Sequence, residues 1–210
     1  MGCWHSWSLV GMAIATVHIA QPFSAQAVSV TEVARIAKNI TVLIENYTRA
    51  IALNPQYTEA YGIRSFLNLL LGNFSTAVTD GDRALALSPN NRDLQMIQSL
   101  ALFLSGDFRR SIPVFDRLIA AKSTDYHLLR GIAAFLMGDY ALSRPSWTAL
   151  TQLTPKDPIP FAVRAVTYLL EQNPKPSLAD LRQAAELYRQ QGNIQSYNER
   201  MDAIRQIENR

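Results

Sequence analysis

A chain of 210 residues, 48% hydrophobic and 18% charged, is long and apolar enough to bury a core of its own. Its formal net charge of +3 is scattered, with the dipeptide Arg109-Arg110 as the tightest basic cluster. There is no basic stripe and no recognisable nucleic-acid module, so nucleic acid is not an expected partner.

The first 27 residues contain no Asp, Glu, Lys or Arg. Within them Ser8 to Ala20 is an apolar run too short to cross a bilayer as a helix. Gln21-Pro22 breaks it, and Ala25-Gln26-Ala27 supplies an A-x-A cleavage pattern. Residues 1–27 therefore read as a signal peptide, with the mature protein exported to the periplasm or the extracellular space. One alternative is that residues 8–20 stay uncleaved as a membrane anchor. Another is acylation, since Met1-Gly2-Cys3-Trp4-His5-Ser6 fits the loose myristoylation pattern with Cys3 open to a second chain. Cleavage after Ala27 would remove the one cysteine and two of the three histidines, leaving His127 and no disulfide.

Residues 28–55 come next. Val33 to Asn46 contains neither Gly nor Pro, and Tyr47 to Pro55 continues it with helical spacing. This predicts one helix from about Thr31 to Leu53, capped by Thr31. The β-branched Ile40-Thr41-Val42 leaves a short strand as the alternative.

From there a period sets in. Gly72-Asn73-Phe74, Gly106-Asp107-Phe108 and Gly138-Asp139-Tyr140 recur at spacings of 34 and 32 residues, and Pro55, Pro89 and Pro155 follow the same period. Both markers put a two-residue deletion between about Ala120 and Asp125. Apolar runs at Tyr61 to Leu71, Leu94 to Leu104 and Leu128 to Met137 end at the glycine turns. Each is followed by a second amphipathic run, such as Ser75 to Leu87. Ile194 to Glu208, after Gly192, is charged over much of its surface and suits a terminal cap, because the end of a stack has one face uncovered.

Helix, turn, helix, loop, about 34 residues long, with Ala60-Tyr61, Gly72-x-Phe74, Ala77, Ala84-Leu85 and Pro89 in the fullest copy, resembles the tetratricopeptide repeat. The resemblance divides residues 56–191 into copies at 58–91, 92–123, 124–157 and 158–191, with 192–210 as a capping helix. In the last copy Gln172 stands where the glycine belongs. The implied fold is all-α, an αα-hairpin superhelix of about four repeats. A narrower resemblance is carried by the apolar leader and Ser29 to Glu45 (SVTEVARIAKNITVLIE), which is similar to the start of secreted cyanobacterial proteins joining a trypsin-like peptidase to such repeats. Here the repeat begins at about Tyr47, where the peptidase domain would stand. This implies a regulatory or remnant member of that family as an alternative function.

No catalytic, cofactor or metal site is expected. G-x-S-x-G, P-loop, G-x-G-x-x-G and H-E-x-x-H patterns are all absent. His127 lies where the repeat carries a bulky packing residue. Asp80 and Asp82 are two apart on a helix and so point in different directions. Asn39-Ile40-Thr41, Asn46-Tyr47-Thr48 and Asn73-Phe74-Ser75 are glycosylation sequons, relevant only in a eukaryotic secretory route. Arg64, Arg130 and Arg164 share one place on the first helices, with Gln98 in the remaining copy. Asp80 and Asp180 share a place on the second, so ion pairs Arg64–Asp80 and Arg164–Asp180 are predicted.

The resemblance also implies that the first helices line a concave surface. By register that surface takes Gly62, Phe66, Leu69 and Leu70, then Met96, Leu100, Phe103 and Leu104. Leu128, Ile132, Phe135 and Leu136 follow, then Ala162, Val166, Leu169 and Leu170. Lys, Asn and Arg of a carboxylate clamp are missing from these places. What remains is an apolar trough suited to a protein or peptide, such as an amphipathic helix. Phe66, Leu69, Leu70, Met96, Leu100, Phe103, Leu128, Ile132 and Phe135 are its candidate contacts. Interhelical core, or cover by Val33 to Val42, is the competing account of the same side chains.

Overall fold

The computed structural model describes residues 29–119 and 124–209, so the leader and most of the shortened stretch near Ala120 lie outside the described residues. Every regular element among the described residues is a helix. Contacts group them into two compact units divided between the copies 92–123 and 124–157. The first holds α1 (Val30–Leu53), α2 (Thr58–Leu70), α3 (Phe74–Leu87), α4 (Arg92–Leu104) and α5 (Phe108–Ile119). The second holds α6 (Thr124–Leu136), α7 (Tyr140–Leu153), α8 (Pro158–Leu170), α9 (Pro174–Gln190) and α10 (Ile194–Glu208). Inside each unit every helix packs on the next in chain order, and in the first unit α2 also touches α4.

The α1 segment is one helix and not a strand. Ser29, instead of Thr31, caps it: the Ser29 hydroxyl accepts the Glu32 N–H at 3.1 Å, and Glu32 lies beside the positive end of the helix. The β-branched stretch is accommodated because Thr41 donates back to the Ala37 carbonyl at 3.0 Å, as Thr48 does to Ile44 at 2.8 Å.

The glycine turns close each hairpin the same way. Gly72, Gly106 and Gly138 have φ of 76°, 83° and 75°, the left-handed region that ends a helix without a Cβ clash. The next N–H then reaches back to the helix, Asn73 to the Asn68 carbonyl at 2.9 Å and Asp107 to Leu102 at 2.9 Å. Gln172 holds the same turn at φ 58°, so the fourth hairpin keeps its geometry with a side chain where the backbone prefers none.

Small residues let the helices cross closely. Ala60, Ala77, Ala84, Ala133 and Ala165 are fully buried, as are Ser65 and Ser143. Each serine joins its hairpin by donating across the crossing, Ser65 to the Ala77 carbonyl at 2.7 Å and Ser143 to Gly131 at 2.9 Å. Trp147 fills the space beside Gly131 and donates its indole N–H to Ser143 at 2.7 Å. The terminal helix α10 lays Ile204 against Ala165 and Leu181 and turns Asp202 and Arg205 outward.

Candidate binding surface

Each unit presents its own candidate surface on the first helices of its hairpins, α2 and α4 in the first unit and α6 and α8 in the second. One face of each is fixed by packing, and the arginines show how. Arg64 Nε and Nη2 donate to Asp80 at 2.8 and 2.7 Å, and Nη1 reaches Thr48 on α1 at 2.9 Å, so one guanidinium joins α1, α2 and α3. Arg164 does the same with Asp180 at 2.8 and 2.7 Å, and adds Thr148 and Thr151 on α7 at 3.2 Å each. Both predicted pairs form. The carboxylates are buried, with Asp80 and Asp180 only 3% and 7% exposed, so these are interior fastenings and not surface pairs. Each aspartate holds its arginine's pKa above the ordinary value, the hydrogen bond outweighing burial.

The other two copies use different chemistry at that place. Gln98 donates to Asp82 on the preceding hairpin at 2.6 Å, and its Oε1 is buried with no partner. Arg130 donates to the Leu142 carbonyl and the Ser146 hydroxyl, both at 3.0 Å. Asp80 and Asp82 do part company: Asp82 is exposed and pairs with Arg110 at 2.6 and 2.8 Å. His127 is half-buried, and burial, helped by Arg130, lowers its pKa below 6.5.

The opposite face of the first helices carries the apolar candidates. In the first unit Phe66, Leu70, Met96 and Leu104 are 46%, 56%, 38% and 49% exposed, while Leu69, Leu100 and Phe103 are half-buried. Phe103 lies edge-on to Phe108 at 5.5 Å and to Phe115 at 6.3 Å, and so belongs in large part to its own hairpin. In the second unit Leu128 and Leu136 are exposed, and Ile132 and Phe135 are half-buried, with Phe135 against Tyr140 at 5.4 Å.

Gly62 is a correction. It is buried, and a Cβ there would lie 2.4 Å from Leu94 Cδ2, so it is where α4 approaches α2 and not part of a groove. Ile63 takes its place at 39% exposure, a residue the register argument passed over. The α1 segment packs against α2. Val33, Ile36 and Leu43 on α1 are themselves about half exposed. A cleft of about 830 Å³ lies elsewhere, in the second unit between the α7–α8 loop and the α9–α10 turn, lined by Pro155, Ile159 and Tyr188 as well as polar side chains. There Gln191 donates to the Lys156 carbonyl at 2.9 Å.

A family model described as Tetratricopeptide repeat matches residues 98–158. No curated protein matches the sequence. Among solved structures the chain is similar to the MamA protein, with a TM-score of 0.65 at 14% identity over 76% of this chain and 88% of that one. It is also similar to YrrB, described as a TPR protein with an unusual peptide-binding site, at 0.62 and 19% identity over 73% and 82%. MamA from Desulfovibrio magneticus RS-1 aligns at 0.57 and 17% identity over 74% and 96%. At these identities the likeness is one of fold: stacked helical hairpins of the tetratricopeptide kind.

Proposed function

We propose that this tetratricopeptide-repeat protein is a non-catalytic scaffold or adaptor that holds another polypeptide on its first helices, outside the cytoplasm. The observation that carries the reading is the row of apolar side chains left open on α2 and α4, with Phe66, Leu70 and Leu104 about half exposed. A folded chain has little reason to leave such a row in water unless something covers it. Ridges spaced along a helix face are suited to an amphipathic helix or an apolar segment. YrrB, of the same fold, is described as having a peptide-binding site, which agrees with this use. The export assignment rests on the uncharged leader and its A-x-A pattern, and an uncleaved anchor at residues 8–20 remains the other reading of that segment.

Affinity capture with the wild type and with a Phe66→Ala/Leu70→Ala variant tests the binding claim. A partner retained by the wild type and lost from a variant of unchanged melting temperature supports it. A partner retained equally by both would remove the trough from consideration. N-terminal sequencing of the protein from its native host decides the export claim, since an intact Met1 would contradict cleavage.

A further inference from the structure

The face that carries the open apolar row also carries charge at one end. On α2, Glu59 is followed by Ile63, Phe66 and Leu70; on α4, Asp93 is followed by Met96, Leu100 and Leu104. Residues three or four apart lie on one side of a helix, so each carboxylate heads a stripe of apolar side chains. Glu59 and Asp93 are exposed, and among the described residues neither carboxylate takes part in a hydrogen bond or ion pair. Three cations of this unit are engaged elsewhere: Arg92 donates to the Leu118 carbonyl at 3.3 Å, Arg64 is held by Asp80, and Arg83 lies over the Tyr61 ring and donates to the Pro55 carbonyl at 3.4 Å. The second unit repeats the order on α6, where Asp125 is exposed ahead of Leu128, Ile132 and Leu136.

A carboxylate in the first turn is favourable to a helix by itself. That accounts for an acid near each N-terminus, but not for its standing in the apolar stripe in all three helices. We infer that the trough selects a basic amphipathic segment, whose apolar side chains cover Ile63, Phe66, Leu70, Met96 and Leu104 and whose Lys or Arg residues at one end meet Glu59 and Asp93. This rests on the trough being a binding surface, and adds the chemistry of its occupant. The same carboxylates disfavour an anionic lipid surface.

Two synthetic amphipathic peptides with one leucine face, differing only in Lys or Glu at the positions flanking one end, distinguish the two claims. Binding to the full-length protein is measured by fluorescence anisotropy at low and at physiological salt. The Lys peptide is expected to bind at least about tenfold tighter at low salt, with the advantage shrinking as salt screens it. Glu59→Gln with Asp93→Asn should weaken the Lys peptide about two- to fivefold per charge and leave the Glu peptide no weaker. The protein's own net charge of +3 works against the Lys peptide, so a preference for it must be local. Equal binding of the two peptides, or a Lys preference that survives the double variant, overturns the inference and leaves the trough standing. Binding of neither peptide overturns both. The peptide comparison needs only the wild type, so a variant that fails to fold does not spoil it.

Discussion

In the α2–α3 hairpin the middle of the first helix carries Arg64, and both its guanidinium edges are taken up, by Asp80 on α3 and by Thr48 on α1. In the α4–α5 hairpin the equivalent residue is Gln98, and the residue in the place of Asp80 is the buried Val114. Gln98 therefore turns backward to Asp82 and leaves its own carbonyl oxygen buried and unbonded. The two hairpins share backbone and period but not their fastening. A repeat specifies where a polar side chain stands, and the neighbours decide which way it reaches. A salt bridge raises the cost of breaking a hairpin, because each charge needs the other, whereas the amide at Gln98 is partly satisfied at best.

The largest effect should come from removing one partner of the buried pair. Asp80→Ala leaves Arg64 without its counter-ion in a site only 18% exposed, and a loss of about 3–5 kcal/mol in denaturant unfolding is expected. Gln98→Leu removes a buried oxygen that bonds nothing, and should cost less than about 1 kcal/mol or stabilise slightly. If both changes cost the same, the contrast between the hairpins is wrong.

Second in size is the contrast between two phenylalanines assigned to the same trough. Phe103→Ala removes a ring packed against Phe108 and Phe115, and should cost about 2–3 kcal/mol. Phe66→Ala removes a ring nearly half in water, and should cost under about 1 kcal/mol while weakening partner capture. A melting temperature that falls equally for both would return Phe66 to the core.

These pairs also mark what could be read from residues alone. The turn positions were legible because only glycine accepts the left-handed backbone cheaply, so Gly72, Gly106 and Gly138 had to recur with the hairpin. The Arg64–Asp80 and Arg164–Asp180 pairs were legible because one register places both members. Gly62 was misplaced because its stripe on α2 is shared between solvent and α4, and the boundary depends on how near Leu94 comes. The backward reach of Gln98 and the threonines behind each arginine were not legible either, since both depend on the preceding hairpin. The acidic heads of the stripes were in plain view at Glu59, Asp93 and Asp125, but each resembles an ordinary helix start until its exposure is known.

A third contrast sets the fourth hairpin turn against the others. Gln172 adopts φ 58°, where a side chain costs about 1–2 kcal/mol. Gln172→Gly should relieve most of that, offset in part by the extra freedom glycine gives the unfolded chain, for a net gain of about 0.5–1 kcal/mol. Gly106→Ala should lose about 1 kcal/mol, although a Cβ there would meet nothing within 4 Å. Opposite signs in one denaturation series are the expected outcome; the same sign in both would mean the turn is not what limits the residue.

The smallest effect is set by pH. Burial, and behind it the positive Arg130, makes His127 a weaker base in the folded protein than its ordinary 6.5. As pH falls through about 6.5 the unfolded chain takes up that proton first, so the unfolded state gains relative to the folded one. The contribution from neutral His127 is complete above that pH and is lost on acidification, until the folded imidazole also protonates. His127→Gln removes the titration, so the stability difference between wild type and variant should be flat above pH 7 and shift against the wild type toward pH 5. Imidazole proton shifts followed by NMR would show the folded midpoint directly, and a value at or above 6.5 would contradict burial as the dominant influence on the ring.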